Sequence, residues 1–159
     1  MSQVPPPFAI RRAANADIPA IQAVVFPALE EHGLKPDPNG TDADLKDIEV
    51  NYFRAGGYFE VALDAEGKIV GSAGLRPLNP ERVELRKMYL RPDVRGLGLG
   101  RALLERMLAK AKELGFVEIC LETHSALKEA VRLYEGYGFV PLNQPCRSPR
   151  CDHVYLLRL

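Results

Sequence analysis

Apolar residues change their spacing several times along the chain, and each change predicts a new element. FAIRRA alternates like a strand, and after it apolar residues recur at helical spacing at Ile18, Ile21, Val24, Val25 and Leu29. Asp17 is a candidate N-cap for this helix, and the Pro-rich stretch EEHGLKPDPNG ends it. A second helix is predicted from Asp44 to Arg54, with Thr41 or Asp42 as its cap and Gly56-Gly57 at its end.

From Tyr58 the apolar period changes to two. YFEVALD, KIVGSAGLRPL and ERVELRKMYLRP are strand-like runs, and Ala65-Glu66-Gly67-Lys68 predicts a hairpin between the first two. Because no helix separates the runs, they should form an antiparallel meander. Within the third run, Val83 and Leu85 share one alternation and Met88 and Leu90 the other, which predicts a bulge between the two pairs.

The second half of the chain returns to helix and strand in turn. A helix is predicted from Gly98 to Leu114, then the strand FVEICLET, and a last helix that starts at Thr123 or Ser125 and ends near Gly136. FVPL and HVYLLRL predict a closing strand pair joined by the loop NQPCRSPRCD. HVYLLRL can pair within a subunit or between two, so a monomer and a homodimer are both open. The length fits one domain over residues 1–159.

Composition excludes some partners. Lys plus Arg equals Asp plus Glu at 21 each, so no overall charge would draw the protein to nucleic acid or an anionic membrane. No apolar run is long enough to serve as a signal segment or to span a bilayer, and an odd set of three cysteines argues against a disulfide framework, so a cytoplasmic location is predicted. Cys146, Cys151 and His153 match no standard zinc spacing, so no metal is predicted, and Cys120 is expected in the core.

The segment RGLGLG between a strand and a helix is the clearest chemical signal. Glycines at 96, 98 and 100 let the backbone approach an anion at a helix N-terminus, where Arg95 and Arg101 add positive charge. Glycines can also serve a tight turn alone. No Gly-Lys-Ser/Thr follows, which excludes a Walker loop. Glu122 lies near the position of the acidic residue that binds the ribose in a dinucleotide-binding motif. However, Arg101 stands where the third glycine of that motif is required, and a meander precedes the loop.

These residues resemble the GCN5-related N-acetyltransferases. Their acetyl-CoA signature, R/Q-x-x-G-x-G/A, is matched by Arg95, Gly98 and Gly100, and the likeness continues through VELRKMYLRPDVRGLGLGRALLERML and AVRLYEGYGFV. It covers nearly the whole chain, most specifically Val83 to Val140. The resemblance implies an α+β fold of three α/β/α layers, with a mostly antiparallel mixed sheet of about seven strands flanked by about four helices.

The resemblance also implies acetyl-CoA as cosubstrate. Backbone amides of the glycine loop should hold the pyrophosphate, and a stretch of the preceding strand should pair with the pantetheine arm. The cofactor-binding residues implied are Met88, Tyr89, Leu90, Arg95, Gly96, Leu97, Gly98, Leu99, Gly100 and Arg101. Many family members have Asn where this chain has Leu127, a departure for which Ser125 is a candidate substitute.

Transfer to an amine requires a base for the ammonium and an acid for the departing thiolate. Glu84 stands where several family members carry a catalytic glutamate, and its alternative is a solvated strand residue paired with Arg86 or Lys87. Tyr134 matches the tyrosine that donates a proton to the CoA sulfur, and its alternative is a core aromatic. His124 is a weaker candidate base.

The resemblance therefore predicts an N-acetyltransferase that moves acetyl from acetyl-CoA to a primary amine of a small molecule or protein, by direct attack in a ternary complex. Two alternatives stay open. One is a CoA-binding sensor without turnover, and the other is a donor such as succinyl-CoA, for which Arg76 or Arg86 could bind the extra carboxylate. The acceptor, set by the loops at 30–41 and 143–152, could be an amine or a carboxylate-bearing substrate.

Overall fold

A computed structural model describes residues 3–159, which build one seven-stranded sheet. The strands are β1 Ala9–Arg12, β2 Tyr58–Leu63, β3 Ile69–Pro77, β4 Arg82–Leu90, β5 Glu118–Thr123, β6 Val140–Pro141 and β7 His153–Arg158. Their order is β1-β2-β3-β4-β5-β7-β6, and only β4 and β5 run parallel among the paired strands of residues 3–159. The predicted meander and mixed sheet are confirmed. Because β7 lies between β5 and β6, HVYLLRL pairs within the subunit.

Helices cover both faces of the sheet. They are α1 Ile18–Glu31, α2 Leu99–Glu113 and α3 Lys128–Gly136, together with a π-helical turn Glu49–Phe53 and 3-10 turns Asn15–Asp17, Ala43–Lys46 and Pro92–Val94. Phe59 and Val61 of β2 face the core under α1, whereas Ala62 faces the core under α2 and α3, so the three predicted layers are confirmed. Of the helices that residues 3–159 form, none has the length and apolar character needed to cross a membrane.

The predicted helix Asp44–Arg54 is wrong as a single element. A 3-10 turn ends at Lys46, Asp47 is extended at φ −154°, and the π-helical turn starts at Glu49. The Asp47 carboxylate accepts hydrogen bonds from the Val50 amide and from the Asn15 side chain, both at 3.0 Å. Such local side-chain bonds offer the backbone an alternative to a continuous helix.

The predicted capping carboxylates also bind elsewhere. Asp17 precedes α1, but its carboxylate accepts from the Ala14 amide and pairs with Arg11. Asp42 precedes the 3-10 turn, but its carboxylate accepts from the Asp37 amide and pairs with Arg150. The Asp17 carboxylate therefore holds the start of the 3-10 turn Asn15–Asp17 and not that of α1, and the Asp42 carboxylate holds another segment of the chain.

The sheet opens between its two parallel strands. In residues 3–159, β4 pairs with β5 only from Arg82 to Glu84, and beyond that point the strands separate. A register shift between β3 and β4 accompanies the opening: Lys87 has φ 55°, and its carbonyl accepts a hydrogen bond of 2.7 Å from Ser72 Oγ. The predicted bulge is confirmed. It lets Leu85 and Met88 contact the same core although their alternations differ.

Candidate acyl-CoA site

A cavity of about 760 Å³ occupies the gap between β4 and β5, a volume within the range of small-molecule sites. One end is formed by the glycine loop, the middle by the second half of β4 and by α3, and the other end by charged side chains from β3, β4 and two loops. Among the predicted site residues, those that line it are Glu84, Met88, Tyr89, Leu90, Arg95, Gly96, Gly98, Gly100, Arg101 and Tyr134.

The glycine loop has the backbone shape of an anion site. Gly96 at φ 75° and Gly98 at φ 88° adopt the left-handed region that side chains disfavour, and α2 begins immediately after Gly98. The first amides of α2 have no partner within the helix, so they can donate to a bound anion. Leu97 is 55% exposed and Leu99 is fully buried, and neither side chain lines the cavity. These two residues can contribute only backbone groups.

The Arg95 side chain lines the cavity and is also bound within the protein. Its Nε and Nη2 donate to the Leu90 carbonyl at 3.1 and 2.9 Å, and its Nη1 pairs with Glu31 at 2.7 Å. Arg95 therefore ties the glycine loop to the end of β4 and to α1. Arg101, which is exposed and lines the cavity, is the arginine available to a diphosphate.

The second half of β4 presents a strand edge to the cavity. Met88, Tyr89 and Leu90 line it, and β5 pairs with none of them. Backbone groups on such an edge can pair with an extended ligand as though it were an added strand. This is the arrangement that the resemblance implied for the pantetheine arm.

Glu84 lies where β4 and β5 stop pairing. Its carboxylate is buried, with 5% of the side chain exposed, and pairs with Arg86 at 3.3 Å and with Arg147 at 2.5 Å. The predicted partner Arg86 is present, but the solvated environment of the alternative is not. Arg147 was not predicted, because it approaches from a loop 63 residues away.

Tyr134 extends from α3 into the same cavity. Its ring is buried and packs at 5.7 Å from the Phe139 ring, so it is both a core aromatic and a cavity residue. Burial, with a smaller contribution from Tyr89, raises the pKa of Tyr134 well above the usual value for a phenol. The hydroxyl is therefore protonated at neutral pH and can donate.

A buried charge network lies at the wall of the cavity beside the bulge at Lys87. Arg150 pairs with Asp42 through two bonds of 2.7 Å, and Lys87 Nζ lies 3.2 Å from Asp42 and 3.1 Å from Asp44. Burial alone would raise the pKa of Asp42, but hydrogen bonds from Arg150 and the Asp37 amide outweigh it and lower that pKa to about 2. Acids and arginines in the two acceptor loops were visible in the sequence, but their pairing was not.

The argument against a disulfide framework is wrong for one pair of cysteines. Cys146 and Cys151 are joined, and Cys151 lines the cavity. The two sulfurs that a metal would need are thus bonded to each other, and the cysteine argument for a cytoplasmic location is weakened. Cys120 lies in the core as predicted, and burial raises the pKa of its thiol to about 12.

Two further candidate residues, both in the segment that precedes α3, make hydrogen bonds within the protein. Ser125 Oγ donates a hydrogen bond of 2.6 Å to Asp152, and Ser125 does not line the cavity. It therefore does not replace the asparagine that many family members have at the position of Leu127. Leu127 itself lines the cavity. His124 lines it as well, but its Nδ1 accepts from the Ala126 amide at 3.0 Å, which is a capping role.

Comparisons with known proteins agree with this geometry. The family model described as acetyltransferase (GNAT) family matches residues 25–139. The chain is 38% identical over 135 residues to the uncharacterized N-acetyltransferase YjgM of Escherichia coli, covering 82% of this chain and 80% of that protein.

Solved structures are similar over nearly the whole chain. A GNAT-family acetyltransferase from Staphylococcus aureus has a TM-score of 0.89 at 25% identity, covering 95% of this chain and 98% of that one. Another from Elizabethkingia anophelis, solved with acetyl-CoA bound, has a TM-score of 0.68 at 19% identity and covers 96% of this chain and 98% of its own. The chain belongs to the acetyltransferase (GNAT) family and is an acyltransferase by that membership.

Proposed function

We propose that this protein transfers acetyl from acetyl-CoA to a primary amine, by direct attack within a ternary complex. The observation that carries the proposal is a single cavity lined by a left-handed glycine loop, an unpaired strand edge, a buried carboxylate and a protonated phenol. These four features suit, respectively, a diphosphate, a pantetheine arm, an amine and a thiolate.

The proposed roles follow from what each group can do. Amides from Gly96 to Arg101 hold the diphosphate, and Met88, Tyr89 and Leu90 align the pantetheine arm. Glu84 accepts the ammonium proton, directly or through one water, so that the amine nitrogen can attack the thioester carbonyl. A backbone N–H near Leu90 stabilises the tetrahedral oxyanion. As the C–S bond breaks, Tyr134 donates its proton to the departing sulfur.

The two alternatives differ in what they require of the same cavity. A sensor needs the donor site and no proton transfer, which would leave Glu84 and Tyr134 without a chemical role. A succinyl donor needs a cation near the acyl group. Arg86 is already bound to Glu84 and to the Thr41 carbonyl, which leaves Arg76 of the two candidates.

Thiol release from acetyl-CoA across a panel of primary amines tests the proposal. We expect turnover by the unaltered protein, and kcat losses on the order of 10²-fold or more in Glu84→Gln and Tyr134→Phe. Glu81→Gln and Tyr137→Phe are matched controls, because neither residue lines the cavity. Acetyl-CoA binding without thiol release on any amine would contradict the proposal and favour a sensor.

A further inference from the structure

Arg76 is a cation at the acceptor end of the cavity whose charge is not taken up by an acid. It lies on β3, is half-buried and lines the cavity, and its Cα is paired with that of Glu84 on β4. Directly opposed residues of an antiparallel pair have their side chains on the same face of the sheet. Within residues 3–159, the Arg76 guanidinium makes neither a hydrogen bond nor an ion pair. Its charge does act on the buried Tyr52 hydroxyl, whose pKa it lowers against the larger effect of burial.

The neighbouring cations are all held by acids. Arg86 and Arg147 each take one oxygen of Glu84, and Arg147 also contacts Glu122. Beside the bulge, Lys87 lies between Asp42 and Asp44, and Arg150 binds Asp42 through both carboxylate oxygens. Both oxygens of Glu84 are therefore already engaged by other arginines, and among residues 3–159 no carboxylate lies within ion-pair distance of the Arg76 guanidinium, which lines the cavity.

We propose that Arg76 binds a carboxylate of the acceptor, which makes the acceptor an amine that carries a carboxylate close to its nitrogen, as in an amino acid. This inference rests on the proposed function. Cross-strand side chains start about 5 Å apart at their Cβ atoms. A molecule with one or two carbons between nitrogen and carboxylate can thus place its amine at Glu84 while the planar guanidinium of Arg76 binds its carboxylate.

The acyl group of the donor could supply a carboxylate instead, and the position of Arg76 argues against that source. The β4 edge that suits the pantetheine arm runs from Leu90 back to the bulge at Lys87. Arg76 is level with Glu84, beyond that bulge, and it lies on β3, the strand on the far side of β4 from β5. It is therefore placed beyond the amine position and not beside the thioester.

Matched pairs of acceptors test the inference. L-methionine with L-methioninamide, and L-phenylalanine with L-phenylalaninamide, differ in the charged carboxylate. Because the amide also lowers the pKa of the amine, kcat/KM is calculated on the concentration of unprotonated amine. With acetyl-CoA as donor, we expect kcat/KM for the acid to exceed that for the amide by about tenfold or more, as a charge-assisted hydrogen bond provides. Arg76→Gln should reduce this ratio to near one through the acceptor KM, with the acetyl-CoA KM unchanged.

Two further variants separate binding from folding. Arg76→Lys keeps the charge without the planar fork, so it should restore part of the ratio. Arg54→Gln alters an exposed arginine outside the cavity and should keep the full preference for the acid. Retained acetyl-CoA binding by Arg76→Gln shows that the variant is folded.

Equal rates on acid and amide in the unaltered protein would overturn the inference and leave acetyl transfer intact. Arg76→Gln acting instead on the choice between succinyl-CoA and acetyl-CoA would also overturn it, by assigning the carboxylate to the donor. Thiol release from no amine would contradict the proposed function separately. Calorimetric binding of the same acid and amide pairs then decides the inference, because equal affinities would refute it.

Discussion

Arg150→Gln removes one partner of a carboxylate that has almost no contact with water. The Asp42 side chain is 0% exposed, and Arg150 supplies two of its hydrogen bonds at 2.7 Å each. Removing one partner of a buried ion pair typically costs about 3–5 kcal/mol. Lys87 at 3.2 Å and the Asp37 amide at 2.8 Å remain, so we expect a loss near the lower limit, about 3 kcal/mol.

The pKa of Asp42 gives a second measure of the same interaction. It is lowered from 3.8 to about 2, which at about 1.36 kcal/mol per pKa unit corresponds to about 2 kcal/mol of stability. Since the folded protein holds this proton more weakly than the unfolded chain, the stabilisation is present above about pH 4. It is lost as the pH falls toward about 2. Arg150→Gln should therefore be both less stable at neutral pH and less sensitive to acid over this interval.

Urea unfolding at about pH 7 and at intervals between about pH 4 and pH 2 measures both effects. Arg91→Gln is the matched control, because Arg91 also binds an aspartate through two bonds, to Asp93 at 2.6 and 2.8 Å, but on the surface. Exposed pairs contribute far less than buried ones, because water solvates both charges when the pair is broken. Equal losses in the two variants, or an unchanged acid response in Arg150→Gln, would refute the assignment of Asp42 and Arg150 as a buried pair.

Other substitutions probe the two ends of the cavity. Gly98→Ala places a side chain at φ 88°, where strain and not space is limiting, since the nearest atom to the new Cβ is Pro5 Cγ at 3.9 Å. A side chain in this left-handed region costs about 1–2 kcal/mol, so the acetyl-CoA Kd measured by calorimetry should rise roughly tenfold. Gly136→Ala is the control, because Gly136 has open space and no positive φ, and it should leave the Kd unchanged. Cys146→Ser opens the disulfide ring that carries Arg147 and should lower the free energy of unfolding by about 2 kcal/mol. A thiol reductant should have the same effect on the unaltered protein and none on the variant, and stability that does not respond to either would contradict the crosslink.

Elements with a strong apolar period were predictable from the sequence. Leu99, Leu103 and Met107 recur at helical spacing in α2, and all three are fully buried. The bulge in β4 was predictable as well, because apolar residues of opposite parity can face one core only if the strand carries an extra residue between them. The glycine loop was identified because its chemistry is local: its charge and its backbone freedom lie in one short segment.

Features that depend on distant partners could not be predicted. Asp47 interrupts the predicted second helix because its carboxylate accepts hydrogen bonds both from the local backbone and from the side chain of Asn15, 32 residues earlier. Arg150 and Asp42 are 108 residues apart, so composition could place both charges in loops without pairing them. The disulfide was missed because an odd count of cysteines does not exclude a bond between two of them, here 5 residues apart in one loop.

Transfer of the acetyl group itself tests the central proposal most directly. The protein is incubated with acetyl-CoA labelled in the acetyl group and with the amine panel, then denatured, and the label is followed in the amine, the CoA and the protein fractions. We expect the label on an amine and no label on the protein, as direct attack requires. One free CoA thiol should appear for each acetylated amine. Label that stays in acetyl-CoA, or that is recovered covalently bound to the protein, would contradict direct transfer to an amine.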